Sequence, residues 1–186
     1  MLSFVCTRGT NADHMPMPEI ITLNFDAATP EEARAYRVRN AVRAVLFDAD
    51  GNIALMHVAR FHFYKLPGGG IEGEEDKLEA LKRECREEAG VDLDEIRELG
   101  SVTEIQKKTS FIHNSYCYTA RAVGEKRASQ FTGKELENGF EVMWVGLDEA
   151  IKLVESNDPT NEIGKYVRER ELAILGAVRK ISSTSN

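Results

Sequence analysis

The acidic side chains between Gly69 and Val91 have the types and spacing in this sequence best suited to chemistry. The segment holds eight carboxylates against four lysines or arginines, so it carries −4 of the chain's net charge of −7. On a helix, at 100° per residue, Glu84, Glu87 and Glu88 fall within an arc of about 100°. Carboxylates this close repel one another, and a hard cation such as Mg²⁺ or Mn²⁺ would remove that cost. The pattern predicts a metal site for a phosphate ester or anhydride, rather than a solvated acidic helix face.

The segment before these acids predicts an unusual loop. It reads Tyr-Lys-Leu-Pro-Gly-Gly-Gly over residues 64–70, and a proline with three glycines indicates rare backbone angles or a close approach to a neighbouring chain segment. Gly90 is expected to end the following helix in the left-handed conformation. Four apolar residues are expected to form the packed face of that helix, next to the face that presents the three acids: Leu78, Leu81, Cys85 and Ala89.

The spacing of residues 69–91 resembles the Nudix box of the Nudix hydrolase superfamily at every fixed position. The one departure is Cys85, where the family usually has an aliphatic residue, and a cysteine can serve there as a small buried hydrophobe. Leu66-Pro67-Gly68 is also similar to the family, whereas the rest of the chain resembles it through strand order and Trp144. The matching residues are Gly69, Glu75, Arg83, Glu84, Glu87, Glu88 and Gly90.

The resemblance implies a role for each residue of the box. Glu84, Glu87 and Glu88 would hold Mg²⁺ or Mn²⁺, with the carbonyl of Gly69 as an additional ligand. Glu84 or Glu87 would be the general base that takes a proton from the attacking water, since the base varies among Nudix enzymes.

Two further roles are implied by the family. Glu75 and Arg83 would join the loop to the helix through a salt bridge. Many Nudix enzymes also recruit a carboxylate from a loop before the tryptophan-bearing strand, where Glu135, Glu137 and Glu141 lie. We favour Glu137 as this extra metal ligand because the Asn-Gly pair after it can form a turn that aims its side chain. A solvated acid is the open alternative.

Basic and aromatic residues near the box are candidates for substrate contacts with phosphates or a base. This set consists of Arg43, Arg60, Tyr64 and Lys65. Phe111, His113 and Tyr116 fit either the sheet core or its surface.

The box needs a sheet and further helices to position it. Alternation predicts strands at 20–25, 96–106, 111–123 and 139–145, and a hairpin from Arg39 that turns at 48–52. Helices are predicted at Thr29-Pro30, at a cap formed by Asp148, and over 161–180 with Ile163, Val167, Ile174 and Val178 inward. We therefore expect an α+β protein. The resemblance specifies the Nudix fold, an α/β/α sandwich with a mixed β-sheet and the loop-helix-loop of the box.

Length and composition favour one globular domain. The chain has 186 residues, of which 42% are hydrophobic and 30% charged, values typical of soluble proteins. Residues 1–18 are expected to be a mobile leader before a single Nudix domain at 19–182. No apolar run reaches the roughly 20 residues of a membrane span, and no secretory signal is present, which predicts a cytoplasmic protein. Cys6, Cys85 and Cys117 lack metal or disulfide spacing and are interpreted as reduced thiols.

The features outside the box narrow the expected substrate. Residues 92–158 contain no proline, unlike ADP-ribose enzymes of the family, and the motifs of the dinucleoside polyphosphate and NADH types are missing. What remains resembles the nucleoside triphosphate pyrophosphatases, including those that act on oxidised nucleotides, which release a monophosphate and pyrophosphate. The open alternatives are a pyrophosphohydrolase of RNA 5′ ends, which the acidic charge disfavours, and a nucleotide sensor without turnover. The partner is a small nucleotide, and the resemblance also allows a homodimer.

Overall fold

The computed structural model describes residues 17–184, and all but two residues of the predicted leader lie outside that range. Within it, the chain forms seven strands and five α-helices. The strands are β1 Glu19–Phe25, β2 Arg37–Phe47, β3 Ile53–Val58, β4 Phe63–Lys65, β5 Asp92–Gln106, β6 Phe111–Val123 and β7 Phe140–Val145. The helices are α1 Pro30–Ala33, α2 Lys77–Ala89, α3 Gly133–Glu137, α4 Leu147–Glu155 and α5 Glu162–Thr184. In this part of the chain no helix is long and apolar enough to cross a membrane.

The strands form one mixed sheet in the order β1-β5-β6-β2-β3-β4, with β7 also paired to β3. β1 runs parallel to β5 and β2 runs parallel to β6, whereas β5 and β6 form a long antiparallel pair. The predicted α+β class with a mixed sheet is therefore confirmed. Most strand bounds agree with the prediction within two residues, but β5 begins at Asp92, four residues earlier than expected.

The sheet separates two apolar layers because successive side chains of a strand point to opposite faces. Val42, Ala44 and Leu46 of β2 pack on the face that carries α2, together with Leu81 and Cys85. The opposite face packs against α4 and α5. Its buried residues include Val45, Leu55, Val102, Val154, Ile174 and Leu175. This is the expected α/β/α sandwich, and it places α2 against the middle of the sheet.

Three local expectations are wrong, all of them at helix starts. Leu78 is 43% exposed and Ile163 is 65% exposed, although both were expected to pack inward. Each lies in the first turn of its helix, where the neighbouring elements cover little of the side chain. Helix α4 has Gly146 as its N-cap, so Asp148 lies inside the first turn, where its charge still favours the helix dipole.

A buried ion network connects α5 to β5. The Arg170 guanidinium donates to Glu104 at 3.1 Å and to Glu171 at 2.6 Å, and all three side chains are nearly inaccessible to solvent. Because buried charges are costly unless they are paired, this network holds the helix in one position over the sheet.

The substitution Arg170→Met is expected to lower the free energy of unfolding by about 3–5 kcal/mol, because it leaves two buried carboxylates without their cation. Urea denaturation followed by circular dichroism measures the change. Arg179→Met is the matched control on the same helix, since the Arg179 side chain is 62% exposed, and it should change stability by at most about 0.5 kcal/mol. Equal stability of Arg170→Met and the wild type would contradict a structural role for the network.

Candidate active site

The loop at residues 67–70 lies along β2, attached by its backbone. The amide of Ala44 donates to the Pro67 carbonyl at 3.0 Å, and the amide of Val42 donates to the Gly69 carbonyl at 2.9 Å. Gly68 has a φ of +131°, and a Cβ at this position would overlap the Val42 carbonyl. The loop thus shows both expected features, a rare backbone angle and a close approach, and only glycine satisfies them.

Local sequence defines both ends of α2. The Asp76 carboxylate caps the first turn by accepting from the amides of Leu78 and Glu79, and the Glu79 side chain completes a capping box. Gly90 ends the helix with a φ of +67°, which confirms the predicted left-handed stop. These signals hold the acidic turns of α2 in place beside the loop.

The segment 127–130 covers the C-terminal end of α2, a contact that the sequence analysis missed. The Ser129 hydroxyl donates to the Glu88 carbonyl at 2.7 Å, and the amide of Gln130 donates to the Glu87 carbonyl at 2.6 Å. The last carbonyls of a helix lack partners within the helix, so these donors stabilise the turn that carries the acids. No local pattern announces such a contact between distant residues.

Glu88 is buried and ties α2 to the loop. Its Oε2 accepts from the amide of Gly68 at 2.7 Å, and its Oε1 pairs with the Lys65 ammonium at 2.7 Å. Lys65 also donates to the Gly68 carbonyl at 3.2 Å. The ammonium that we predicted to contact substrate is therefore already engaged by the box, and its contact with substrate stays a prediction.

Arg83 organises the other acids of the site. Its guanidinium binds Glu75 through two hydrogen bonds of 3.0 Å and donates to the Gly70 carbonyl at 3.0 Å. The remaining nitrogen donates to Glu84 at 2.8 Å and to Glu87 at 3.2 Å. Hydrogen bonding to Glu75 raises the pKa of Arg83 and in turn lowers the pKa of Glu75. One cation thus joins the loop to the helix and orients two of the three acids.

The three acids of α2 differ in their exposure to solvent. Glu84 and Glu88 are 8% and 2% exposed, whereas the Glu87 side chain is 42% exposed. Burial raises the pKa of Glu84, and the charge of Glu88 raises it further, against the opposing effect of Arg83. Two of the three acids are therefore buried rather than solvated, because the Gly68 amide and Lys65 donate to Glu88 and Arg83 donates to Glu84.

The oxygen donors at this junction suit a hard divalent cation. Glu84 Oε2 and Glu87 Oε1 accept no hydrogen bond from residues 17–184, and Gly69 lies against the Glu84 carboxylate. A cation would also offset the cost of ionising the buried Glu84. In the described range no three His, Cys, Asp or Glu side chains are gathered as a metal-binding group. Lys65 and Arg83 bind the acids in this structure. The donor set fits Mg²⁺ or Mn²⁺.

The other predicted residues lie at the periphery of the site. Glu137 is exposed at the end of α3, and Arg60 is exposed beside the ring of Phe61. Tyr64 stacks on His57 with ring centroids 4.7 Å apart. Among the hydrogen bonds and ion pairs of residues 17–184, none joins these three predicted side chains to the glutamates of α2. Their roles in metal or substrate binding stay predictions.

Two arginines of β2 approach the site differently. Arg43, which we predicted to contact substrate, donates to the Val42 carbonyl at 2.7 Å, and its Nε is buried without a partner among the described residues. Arg39, which the sequence analysis missed, lies over Gly70 of the loop. The alternation of arginines at 37, 39 and 43 could have indicated it, because alternate residues of a strand share one face.

Comparison with known proteins identifies the family and agrees with the fold. A family model described as the NUDIX domain matches residues 37–167. The E. coli ORF135 protein is similar in structure, with a TM-score of 0.57 and 18% identity over 81% of this chain and 95% of that one. The MutT NUDIX hydrolase from Burkholderia pseudomallei gives a TM-score of 0.53 and 23% identity over 72% of this chain and 97% of that one. The mutator MutT protein from Bacillus halodurans gives a TM-score of 0.51 and 22% identity over 70% of this chain and 80% of that one. No curated protein matches the sequence significantly.

Proposed function

This chain belongs to the Nudix hydrolase family, whose domain matches residues 37–167, and from that premise we propose that it hydrolyses a nucleoside triphosphate to the monophosphate and pyrophosphate with Mg²⁺ or Mn²⁺. An oxidised nucleotide is included in this substrate class. The observation that carries the proposal is the junction of loop and helix. There Arg83 bridges Glu75, Glu84 and Glu87 and leaves one oxygen of each of the last two free.

The acids at this junction have separable roles in the proposal. Of the three acids that the resemblance assigns to the metal, Glu84 and Glu87 hold the cation through their free oxygens in this proposal. Glu88 instead holds the loop, because its oxygens accept from Gly68 and Lys65. When bound, the cation would neutralise phosphate charge and lower the pKa of the attacking water. Either Glu84 or Glu87 is the general base of the proposal, which takes a proton from the attacking water.

The position of the acids constrains the point of attack. A phosphorus atom must lie beside Glu84 and Glu87 to be attacked there, and the leaving group must depart in line with the water. In the proposed reaction that atom is the α or the β phosphorus of a nucleoside triphosphate, and the anhydride bond between these two phosphates breaks. The expected first products are a nucleoside monophosphate and pyrophosphate.

A screen with product analysis tests the proposed reaction. The full chain with Mg²⁺ is incubated with nucleoside triphosphates, oxidised nucleotides, dinucleotides, nucleotide sugars and 5′-triphosphate RNA in ¹⁸O-labelled water. Label in the monophosphate or the pyrophosphate supports the proposal. Label found only in orthophosphate from the γ position contradicts it. Turnover restricted to RNA would favour the 5′-end enzyme, and binding without turnover would favour the sensor.

A further inference from the structure

One face of β2 carries a row of arginines that ends beside the active site. Arg37, Arg39 and Arg43 occupy alternate positions and therefore share a face of the strand. They pair in register with Phe111, His113 and Cys117 of β6. The Arg37 guanidinium lies 4.4 Å from the centroid of the Phe111 ring. In a chain with a net charge of −7, this row places positive charge next to the acidic box.

Arg39 is the member of the row that touches the loop of the box. Its Nη2 and Nε would lie 3.1 and 3.4 Å from a Cβ at Gly70, so the absence of a side chain at Gly70 permits this approach. The preceding residue, Gly69, lies against the Glu84 carboxylate. Consecutive Cα atoms are about 3.8 Å apart. Arg39 and the Glu84 carboxylate thus lie against consecutive residues of the loop.

Arg39 also differs from Lys65 and Arg83 in having free donors. Lys65 is paired with Glu88, and Arg83 is paired with three glutamates. Arg39 is exposed, and it takes part in none of the hydrogen bonds or ion pairs found among residues 17–184. Its planar set of N–H groups remains available for a ligand from solvent.

The surroundings of Arg39 favour an anion. His113 lies opposite Arg39 in the parallel pair of β2 and β6. Burial lowers the pKa of His113, and the charges of Arg39, Arg170 and Arg43 lower it further, against the opposing charge of Glu104. Burial is the main cause of this shift, and Arg39 is one of the three arginines that add positive charge near His113; positive charge of this kind would stabilise a phosphate.

We propose that Arg39 binds the substrate phosphate next to the one that is attacked. The proposal rests on the proposed function, which places the attacked phosphorus beside Glu84 and Glu87. The next phosphate of the chain then lies against Gly70, within reach of the guanidinium. A guanidinium binds phosphate oxygens through two parallel hydrogen bonds, a geometry that an ammonium cannot reproduce.

Binding of inorganic pyrophosphate with Mg²⁺ tests this role without knowledge of the nucleobase. Titration calorimetry compares the wild type with Arg39→Gln, Arg39→Lys and the control Arg97→Gln, whose side chain is 78% exposed on β5. Arg39→Gln is expected to weaken binding by about 10- to 100-fold, because it removes charge-assisted hydrogen bonds. Arg39→Lys should recover part of the loss, and Arg97→Gln should bind as the wild type does. The KM for the best nucleotide of the screen should rise in parallel, with kcat changed less.

Two outcomes overturn the inference. One is unchanged pyrophosphate affinity in Arg39→Gln while the wild type turns over nucleotides, which leaves the proposed function intact. The other is a loss of affinity in Arg39→Gln accompanied by a lower melting temperature of the ligand-free protein. That result would assign Arg39 a structural role. Failure of the wild type to hydrolyse any nucleotide would instead overturn the proposed function itself.

Discussion

Removal of the divalent cation with excess EDTA is expected to abolish hydrolysis, and Mg²⁺ or Mn²⁺ should restore it. The acids of the box carry negative charge into a site that must accept phosphates, and burial and the neighbouring Glu88 already raise the pKa of Glu84. Without a cation, the carboxylates of the box repel the phosphates of the substrate. Because metal catalysis supplies several kcal/mol, the rate should fall by about 10³-fold or more.

The rate of pyrophosphate release measures this loss. As a control, the same EDTA concentration saturated with Mg²⁺ should leave the rate unchanged, and circular dichroism should show that the fold persists in EDTA. Mg²⁺ should also raise the melting temperature, because a ligand that binds only the folded state stabilises it. Full turnover in excess EDTA would refute the metal site.

Glu87→Gln is expected to lower kcat by about 10²- to 10⁴-fold, the range of a general base or an equivalent catalytic group. Glu87 is the most exposed of the three acids, with 42% of its side chain accessible, so this change disturbs the fold least. The control is Glu79→Gln on the same helix, since glutamine also serves in a capping box. A wild-type kcat in Glu87→Gln would exclude Glu87 from the chemistry.

The same substitution at the two buried acids should separate catalysis from stability. Glu84→Gln should also reduce kcat, but it should stabilise the metal-free protein, because the raised pKa of Glu84 shows that folding disfavours its ionised form. Glu88→Gln should destabilise the protein, because the partly buried Lys65 ammonium loses its charged partner. If relief of the repulsion among the acids were the only effect, both variants would be more stable than the wild type. Urea denaturation in EDTA distinguishes that result from the opposite changes expected here.

Much of the fold could be predicted because its signals are local. The alternation over residues 111–123 gives β6 with the bounds that the structure has, and Gly90 marks the end of α2. A period of two residues and a left-handed glycine depend on the chain's own backbone geometry. The spacing of the box is local in the same sense, because it lies within one loop and one helix.

The wrong expectations concern the environment of a side chain. Leu78 has a helical apolar spacing and is exposed, whereas Glu84 is charged and is buried. Periodicity identifies which residues share a face of a helix, but it does not say how far the neighbouring elements extend over that face. That depends on the length of the sheet and the path of the loop.

By itself, the sequence determined which acids share a turn of α2, where that helix ends and which superfamily the box resembles, because these properties depend on neighbours within a few residues. Only the tertiary structure decided that Lys65 pairs with Glu88, that Arg170 pairs with Glu104, and that Arg39 rests on Gly70. Each of these contacts joins residues that are brought together by sheet order and helix packing. Their energies depend on burial, and burial is a property of the whole fold.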